Sequence, residues 1–255
     1  VYGGGCWYGT CTDSMIMGNH ASNGAGVAHA TLARCTISGN TALGIAGGAM
    51  FGSLTNCIVF FNSARTFSNM YGSACAYTCT APLPAGEGNI ASDPCFVDQA
   101  TGNYRLSSNS PCIDAGILQE IDGATDLDGV ARPLDGNNDG LTLPDMGAYE
   151  FMHPSADTDG DGILDLTEWR VETDPSDPES LFRIMGVDSE NGQPRLEWPG
   201  GTRTTQYVER CCNLIGTNPE WKVIYTNLPP SPALSDFIPS ADTNRIQHFR
   251  LRIAP

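Results

Sequence analysis

The chain has 255 residues, 40% of them hydrophobic and 16% charged, enough for one large domain or two to three smaller ones with their own cores. A formal net charge of −16 with a single lysine (Lys222) excludes a nucleic-acid or anionic-membrane binder and suits divalent cations. No apolar run is long enough for a membrane span or a signal peptide, and ten cysteines without zinc-type or haem-type spacing fit buried thiols and disulfides of an extracellular protein.

The chain opens "VYGGGCWYGT". The spacing Gly3, Gly5, Gly9 misses the dinucleotide-binding pattern by one residue, and no strand precedes it. The stretch is instead one copy of a repeat. "GTCTDSMIMGN" (9–19), "ATLARCTISGN" (30–40) and "GSLTNCIVFFN" (52–62) align without gaps, offset by 21 and then 22 residues. Gly5, Gly26 and Gly48 share a column upstream, and Tyr8, His29 and Phe51 form an aromatic one. Cys11, Leu32 and Leu54, then Ser14, Cys35 and Cys57, then Ile16, Ile37 and Val59 follow, and Asn19, Asn40 and Asn62 close each copy. Brief β-type runs separated by glycine and asparagine predict a β-solenoid whose asparagines bond from coil to coil. The glycines are expected to let each coil turn tightly and approach its neighbour, with the asparagines tolerating left-handed backbone at the corner. His29 reads as packing in its aromatic column, His20 as a turn position, and Asp13 and Arg34 as solvated residues on adjacent coils. Val1 stands in mid-repeat, so the open edge of the first coil is expected to meet further chain or a neighbouring subunit, and head-to-tail stacking of that kind propagates into a filament.

From Asn69 the pattern turns irregular. It carries Asp93-Pro94, Phe96-Val97-Asp98, Tyr104-Arg105-Leu106, "SPCIDAG" (110–116), Asp126-Leu127-Asp128-Gly129, Arg132-Pro133 and "DMGAYE" (145–150). With these residues, 1–151 resembles the C-terminal end of bacterial surface right-handed parallel β-helix proteins with a choice-of-anchor region. The resemblance implies a secreted or surface-displayed protein whose last coils and cap lie here, and it brings no set of catalytic residues. A cap is what a solenoid needs to cover its open strand edges. Cys75, Cys79, Cys95 and Cys112 would staple it, and the family-like motif points first to Cys79 with Cys112.

"DTDGDGILDLTE" (157–168) matches the calcium-loop pattern throughout. Asp157, Asp159 and Asp161 occupy positions one, three and five, and Gly162 makes the turn. Ile163 offers its carbonyl at seven, Asp165 stands at nine and Glu168 at twelve. These hard oxygen ligands predict one bound Ca²⁺. Only one short helix, "LDLTEWRVE", can follow before "TDPSDPES", so the loop resembles the single calcium loops of thrombospondin type 3 and dockerin-like modules, which stiffen a junction. "DGNNDG" (135–140) is a weaker echo, leaving open whether Asp135, Asn137 and Asp139 form a second site. Beyond it, "FRIMGVD", "PRLEW", "TQYVERC", "WKVIYTN" and "QHFRLRI" alternate as strands of a β-sandwich. Cys211 and Cys212, neighbours on one strand, should face opposite ways.

The expected architecture is all-β: parallel β-helix coils and cap over 1–151, a calcium-binding linker over 152–181 and a β-sandwich over 182–255. The expected role is a non-catalytic structural or adhesion protein of the bacterial exterior. A lyase needs a basic residue near calcium-binding acids and a glycosidase needs facing carboxylates, yet Asp13 and Arg34 are the only charges in 1–62 apart from histidine. The alternatives are a polysaccharide-active β-helix and a carbohydrate-binding tail using Trp198 and Trp221, which read first as core.

Overall fold

The computed structural model describes residues 3–118, 125–190, 193–212, 219–232, 234–239 and 247–254, without the side chains of 187–194. Val1, whose mid-repeat position raised the expectation of a covered first edge, lies outside them. The chain divides into two compact units, 1–158 and 159–255.

The first unit is built on a parallel β-solenoid. Cys6–Thr12 pairs in parallel with Val27–Ala33, which pairs with both Ala49–Met50 and Ser53–Thr55, and these pair with Met70–Tyr71 and Ala74–Ala76. A second sheet stacks Met15–Met17, Thr36–Ser38, Ile58–Phe60 and Cys79–Thr80, and a two-stranded one joins His20–Ala21 to Thr41–Ala42. The register is that of the repeat columns: Cys11, Leu32, Leu54 and Cys75 lie over one another, as do Ile16, Ile37, Val59 and Thr80. Val27, Leu32, Cys35, Ile37, Leu54, Cys57 and Val59 fill the interior, each 0–1% exposed. Burial of a side chain of this size contributes about 1.5–3 kcal/mol.

A fourth coil continues where the repeat looked broken. Met70, Ala74 and Cys79 each stand 21 residues after their partners Ala49, Ser53 and Ile58. It escapes the alignment because the asparagine column ends at Asn62. Asn69 takes the next rung instead, its Oδ1 accepting the Asn62 N–H at 3.1 Å and its Nδ2 donating to the Ala81 carbonyl.

Each coil bends at left-handed residues about five positions apart. Gly3, Gly24, Ala46 and Phe67 form one such column. Tyr8, His29, Phe51 and Gly72 form a second, Asp13, Arg34, Asn56 and Tyr77 a third, and Gly18, Gly39 and Phe61 a fourth, all with φ between +46° and +67°. The left-handed residue thus precedes each ladder asparagine rather than being it. A non-glycine residue there costs about 1–2 kcal/mol, which the inter-coil hydrogen bonds offset. Asn19 Nδ2 donates to Asn40 Oδ1 at 2.9 Å and Asn40 Nδ2 to Asn62 Oδ1 at 3.0 Å. Gly26 has the other role foreseen for glycine, since a Cβ there would stand 2.6 Å from the Gly48 carbonyl oxygen of the next coil.

The region expected to cap the solenoid divides its work. Residues 86–92 cover strand edges of the fourth coil: Tyr77 N–H donates to the Glu87 carbonyl at 2.8 Å, and Thr80 N–H to that of Ile90 at 2.9 Å. Residues 93–118 and 125–151 lie instead along the flank of the second sheet. There the outward-facing Ile58 and Cys79 would be exposed without cover, and they form a second core with Leu106, Cys112 and Met146. Gly147 N–H donates to the Asn56 carbonyl at 2.9 Å and Ala148 N–H to Thr36 Oγ1 at 3.0 Å, which ties the flank to the second and third coils. All ten cysteines are free thiols. Of the four expected to cluster, Cys79 and Cys112 share the second core, where the Cys79 thiol donates to the Ser92 carbonyl at 3.3 Å. Cys75 points into the solenoid against Met70, and Cys95 donates to the Asp93 carbonyl. Cys75 and Cys79 are four residues apart on opposite sides of the coil wall, so one cluster cannot hold both.

The second unit contains the helix Asp165–Val171 and two antiparallel three-stranded sheets. One runs Gly186–Glu190, Gln193–Pro199, Leu234–Phe237, and the other Lys222–Asn227, Gln206–Cys211, His248–Ile253. Leu196 and Trp198 of the first and Val208 of the second belong to a single core, joined by Tyr225, Phe237 and Leu251. Trp198 is fully buried with its Nε1 donating to Gln206 Oε1 at 2.9 Å, whereas Trp221 lies under the Arg250 guanidinium. Cys211 is buried and Cys212 exposed, as opposite faces require.

Candidate functional site

The acidic loop leads into the helix. Alternate loop residues point inward, and among the described residues Asp157, Asp159 and Asp161 bring carboxylate oxygens within 4.8 Å of one another. Short turns order the backbone: Asp159 Oδ1 accepts the Asp161 N–H at 3.1 Å and Asp161 Oδ1 the Ile163 N–H at 2.6 Å. Gly160 and Gly162 supply φ of +77° and +93° with open space where a Cβ would be. The helix then turns Asp165 and Glu168 inward, and both are fully buried.

Glu168 decides the chemistry. Its Oε1 accepts from Thr173 Oγ1 at 3.2 Å, while its Oε2 and Asp161 Oδ2 are buried with no hydrogen-bond partner. Burial first, then the nearby charge of Asp159, Asp161 and Asp165, pushes the Glu168 carboxyl up to about 8. Buried carboxylates crowded without a cation are costly, and a hard divalent ion removes both the repulsion and the unmet oxygens. The donor set is oxygen throughout, which fits Ca²⁺. Of the six predicted ligands, the three loop aspartates bring their carboxylates together, Asp165 and Glu168 are buried on the helix outside that group, and Ile163 engages through its N–H.

The weaker echo is built differently. Asp135 accepts the N–H groups of Asp139 and Gly140 at 3.0 and 2.7 Å, and Asp139 accepts that of Leu141 at 2.9 Å. These carboxylates are committed to shaping their own turn.

The acids of the "SPCIDAG … DMGAYEF" stretch likewise organise backbone. Asp145 accepts the N–H groups of Asp114 and Phe151 at 2.8 and 2.6 Å, and Asp126 those of Asp128, Val130 and Glu150 at 2.7, 2.8 and 2.9 Å. Arg132 and Glu150 form a buried ion pair at 3.1 Å. Burial, and next the charge of Glu150, pushes Asp145 well above the usual carboxylate range. Burial also raises Glu150 to about 7, against the pull of Arg132. Such groups replace regular strands in ordering this flank. Their loop spacing in the sequence carries no periodic signal that would have exposed the network.

On the solenoid, Asp13 and Arg34 are not separately solvated. They form a bidentate pair between adjacent coils, Nε–Oδ1 at 2.6 Å and Nη2–Oδ2 at 2.9 Å. The aromatic column is also not interior. Tyr8, His29 and Phe51 stack on the outer surface with ring centroids 5.0 and 5.3 Å apart, and Tyr71 meets Phe51 edge-on at 5.5 Å. Trp7 and Phe67 flank it, 60% and 55% exposed. A column of aromatics in the sequence looks the same on either face of a coil wall, so only the left-handed bend places it outside.

No family model, curated protein or solved structure matches the chain. No helix among the described residues is long and apolar enough to cross a membrane. The functional reading therefore stands on the geometry of this chain.

Proposed function

We propose that the chain is a calcium-stabilised structural module of a secreted or surface-displayed bacterial protein, a non-catalytic β-solenoid followed by a β-sandwich. The observation that carries the reading is the buried Glu168 carboxylate with an unmet oxygen beside Asp159, Asp161 and Asp165. Calcium would be held by Asp157, Asp159, Asp161, Asp165 and Glu168, with the Ile163 carbonyl as the remaining predicted ligand. Bound there, the ion supplies charge neutralisation and orders the chain between the loop and the helix. Extracellular sites of this kind have dissociation constants of about 0.1–1 mM, so millimolar calcium adds about 0.4–1.4 kcal/mol to stability. An ion of that strength orders a segment rather than deciding whether a domain folds.

Several features support a structural over a catalytic role. In the repeat Asp13 and Arg34 neutralise each other, and the buried acids of the flank are engaged with backbone N–H groups. The Cys6–Thr12 strand pairs on one side only among the described strands, an edge that a further coil from the same chain or another copy would complete. The surface-protein part of the reading rests on the resemblance of the motifs over 93–150 to choice-of-anchor β-helix proteins.

Titration calorimetry tests the site. One calcium per chain should bind, and Asp161→Ala and Glu168→Gln should each abolish it, while chelation should expose 152–180 to protease and leave both units folded. No binding, or binding unchanged in both variants, overturns the reading. The exposed aromatic stack on a nearly uncharged surface favours a second reading, docking of a neutral polysaccharide. Affinity electrophoresis in glycan-containing gels, comparing the chain with Tyr8→Ala, tests that separately.

A further inference from the structure

We propose that Cys6 and Cys11 are a disulfide-forming pair that covalently closes the first bend of the solenoid. The Cys11 thiol donates to Cys6 Sγ at 3.0 Å. This contact is a product of the coil shape. Cys6 and Cys11 stack on Val27 and Leu32 of the second coil, and these on Ala49 and Leu54 of the third. In the fourth coil the same two columns carry Met70 and Cys75, whose sulfurs lie 3.2 Å apart. The left-handed bend at Tyr8, repeated at His29, Phe51 and Gly72, folds the two columns onto each other in every coil. Where two coils fill the gap with aliphatic side chains, the first fills it with two thiols.

Access separates this pair from the others. Cys35 with Cys57, and Cys79 with Cys112, also touch, but all four are 0% exposed. Cys6 and Cys11 are only half-buried. A soluble disulfide such as oxidised glutathione therefore reaches them first. The Cys6 thiolate attacks one glutathione sulfur and releases one reduced glutathione. Cys11 then loses its proton and displaces the second. The bond formed is Cys6 Sγ–Cys11 Sγ, the glutathione S–S bond is broken, and both protons and both electrons end on two glutathione molecules. Because the Cys11 thiol donates to Cys6 Sγ, it supports a thiolate on Cys6, which assigns the first attack to Cys6 and the resolving step to Cys11; burial, and then the Cys6 thiol beside it, pushes Cys11 up to about 12. The closed ring clamps the strand that is paired on one side only and holds Trp7 and Tyr8 at a fixed outer tip.

The chemistry is a property of the folded chain and stands whether or not the loop binds calcium. The test uses the whole protein, incubated natively with oxidised glutathione, alkylated with iodoacetamide, then unfolded and digested with trypsin. Arg34 is the first cleavage site, so residues 1–34 leave as one peptide whose cysteines are Cys6 and Cys11 alone. That peptide should be two hydrogens lighter than the dithiol and unlabelled, and should take two labels once reduced. In Cys11→Ser the reaction should stop with glutathione on Cys6. A peptide carrying two alkyl groups, a stable glutathione adduct in the unsubstituted chain, or a Cys11→Ser chain that takes no glutathione would each overturn the proposal.

Discussion

Replacing Gly26 by alanine asks whether the glycine column is a close approach between coils. The added Cβ would stand 2.6 Å from the Gly48 carbonyl oxygen, 2.7 Å from Ile37 Cγ2 and 3.1 Å from Asn40 Nδ2. The carbonyl cannot swing aside freely, because it accepts the Val27 N–H at 2.8 Å. Asn40 Nδ2 is held by the Ile16 and Ser38 carbonyls at 2.9 and 3.1 Å. Restoring an ordinary contact of about 3.5 Å needs a shift of about 0.9 Å in backbone rather than in a side-chain tip. Overpacking of a core costs about 1–3 kcal/mol, and a backbone obstacle puts this case near 3. At about 2–4 °C per kcal/mol for a unit of this size, the solenoid should melt about 6–12 °C lower. Gly18→Ala is the control. Nothing lies within 4 Å of its would-be Cβ and only its φ of +67° is unfavourable. That cost, about 1 kcal/mol after the entropy lost by the unfolded chain, should lower the melting temperature by about 2–4 °C. Calorimetry, with hydrogen exchange at the Val27–Ala33 amides to identify the unfolding unit, gives both numbers. Equal shifts in the two variants, or none in Gly26→Ala, would refute inter-coil contact as the reason for the glycine.

Asn40→Ala should cost about 2–3 kcal/mol in urea unfolding and clearly more than Asn19→Ala, because Asn40 is fully buried and its loss leaves ladder partners on both sides unmet. Glu150 has a folded-state value near 7 against an ordinary 4.5, so the folded chain holds its proton longer than the unfolded one. Its contribution to stability is therefore present below about pH 4.5 and is lost as the pH rises toward 7. Urea unfolding across that window should show a decline that is shallower in Glu150→Gln, and parallel profiles would count against it. Cys57→Asp should unfold the solenoid, since an unpaired charge at a fully buried position costs several kcal/mol; a normal circular-dichroism spectrum would show that the wrong face was placed inside.

The solenoid was legible because stacking is a local rule repeated. A parallel coil puts residues one repeat apart directly over each other, so the Leu32 and Leu54, Ile37 and Val59, and Asn40 and Asn62 columns had to appear in the alignment before any coordinates. The grouping of Asp157, Asp159 and Asp161 was legible for a similar reason: alternate residues of one short loop have a spacing that is itself the geometry. The fourth coil was obscured by one missing asparagine, although the Cys75 and Thr80 positions kept the interior period.

Other features depended on contacts that no local pattern encodes. Residues 93–151 could as well have covered the end of the solenoid as its side. The choice follows from the outward Ile58 and Cys79, which need a partner surface that Leu106, Cys112 and Met146 supply from far along the chain. The buried Arg132–Glu150 pair and the Asp145 and Asp126 anchors join loops with no shared period. The meeting of Cys6 with Cys11 depends on a left-handed residue at position 8, where the sequence places a tyrosine. Periodicity names what stacks on what along the solenoid axis. Which way a wall faces, and what lies against it, is settled only when distant segments compete for the same apolar surface.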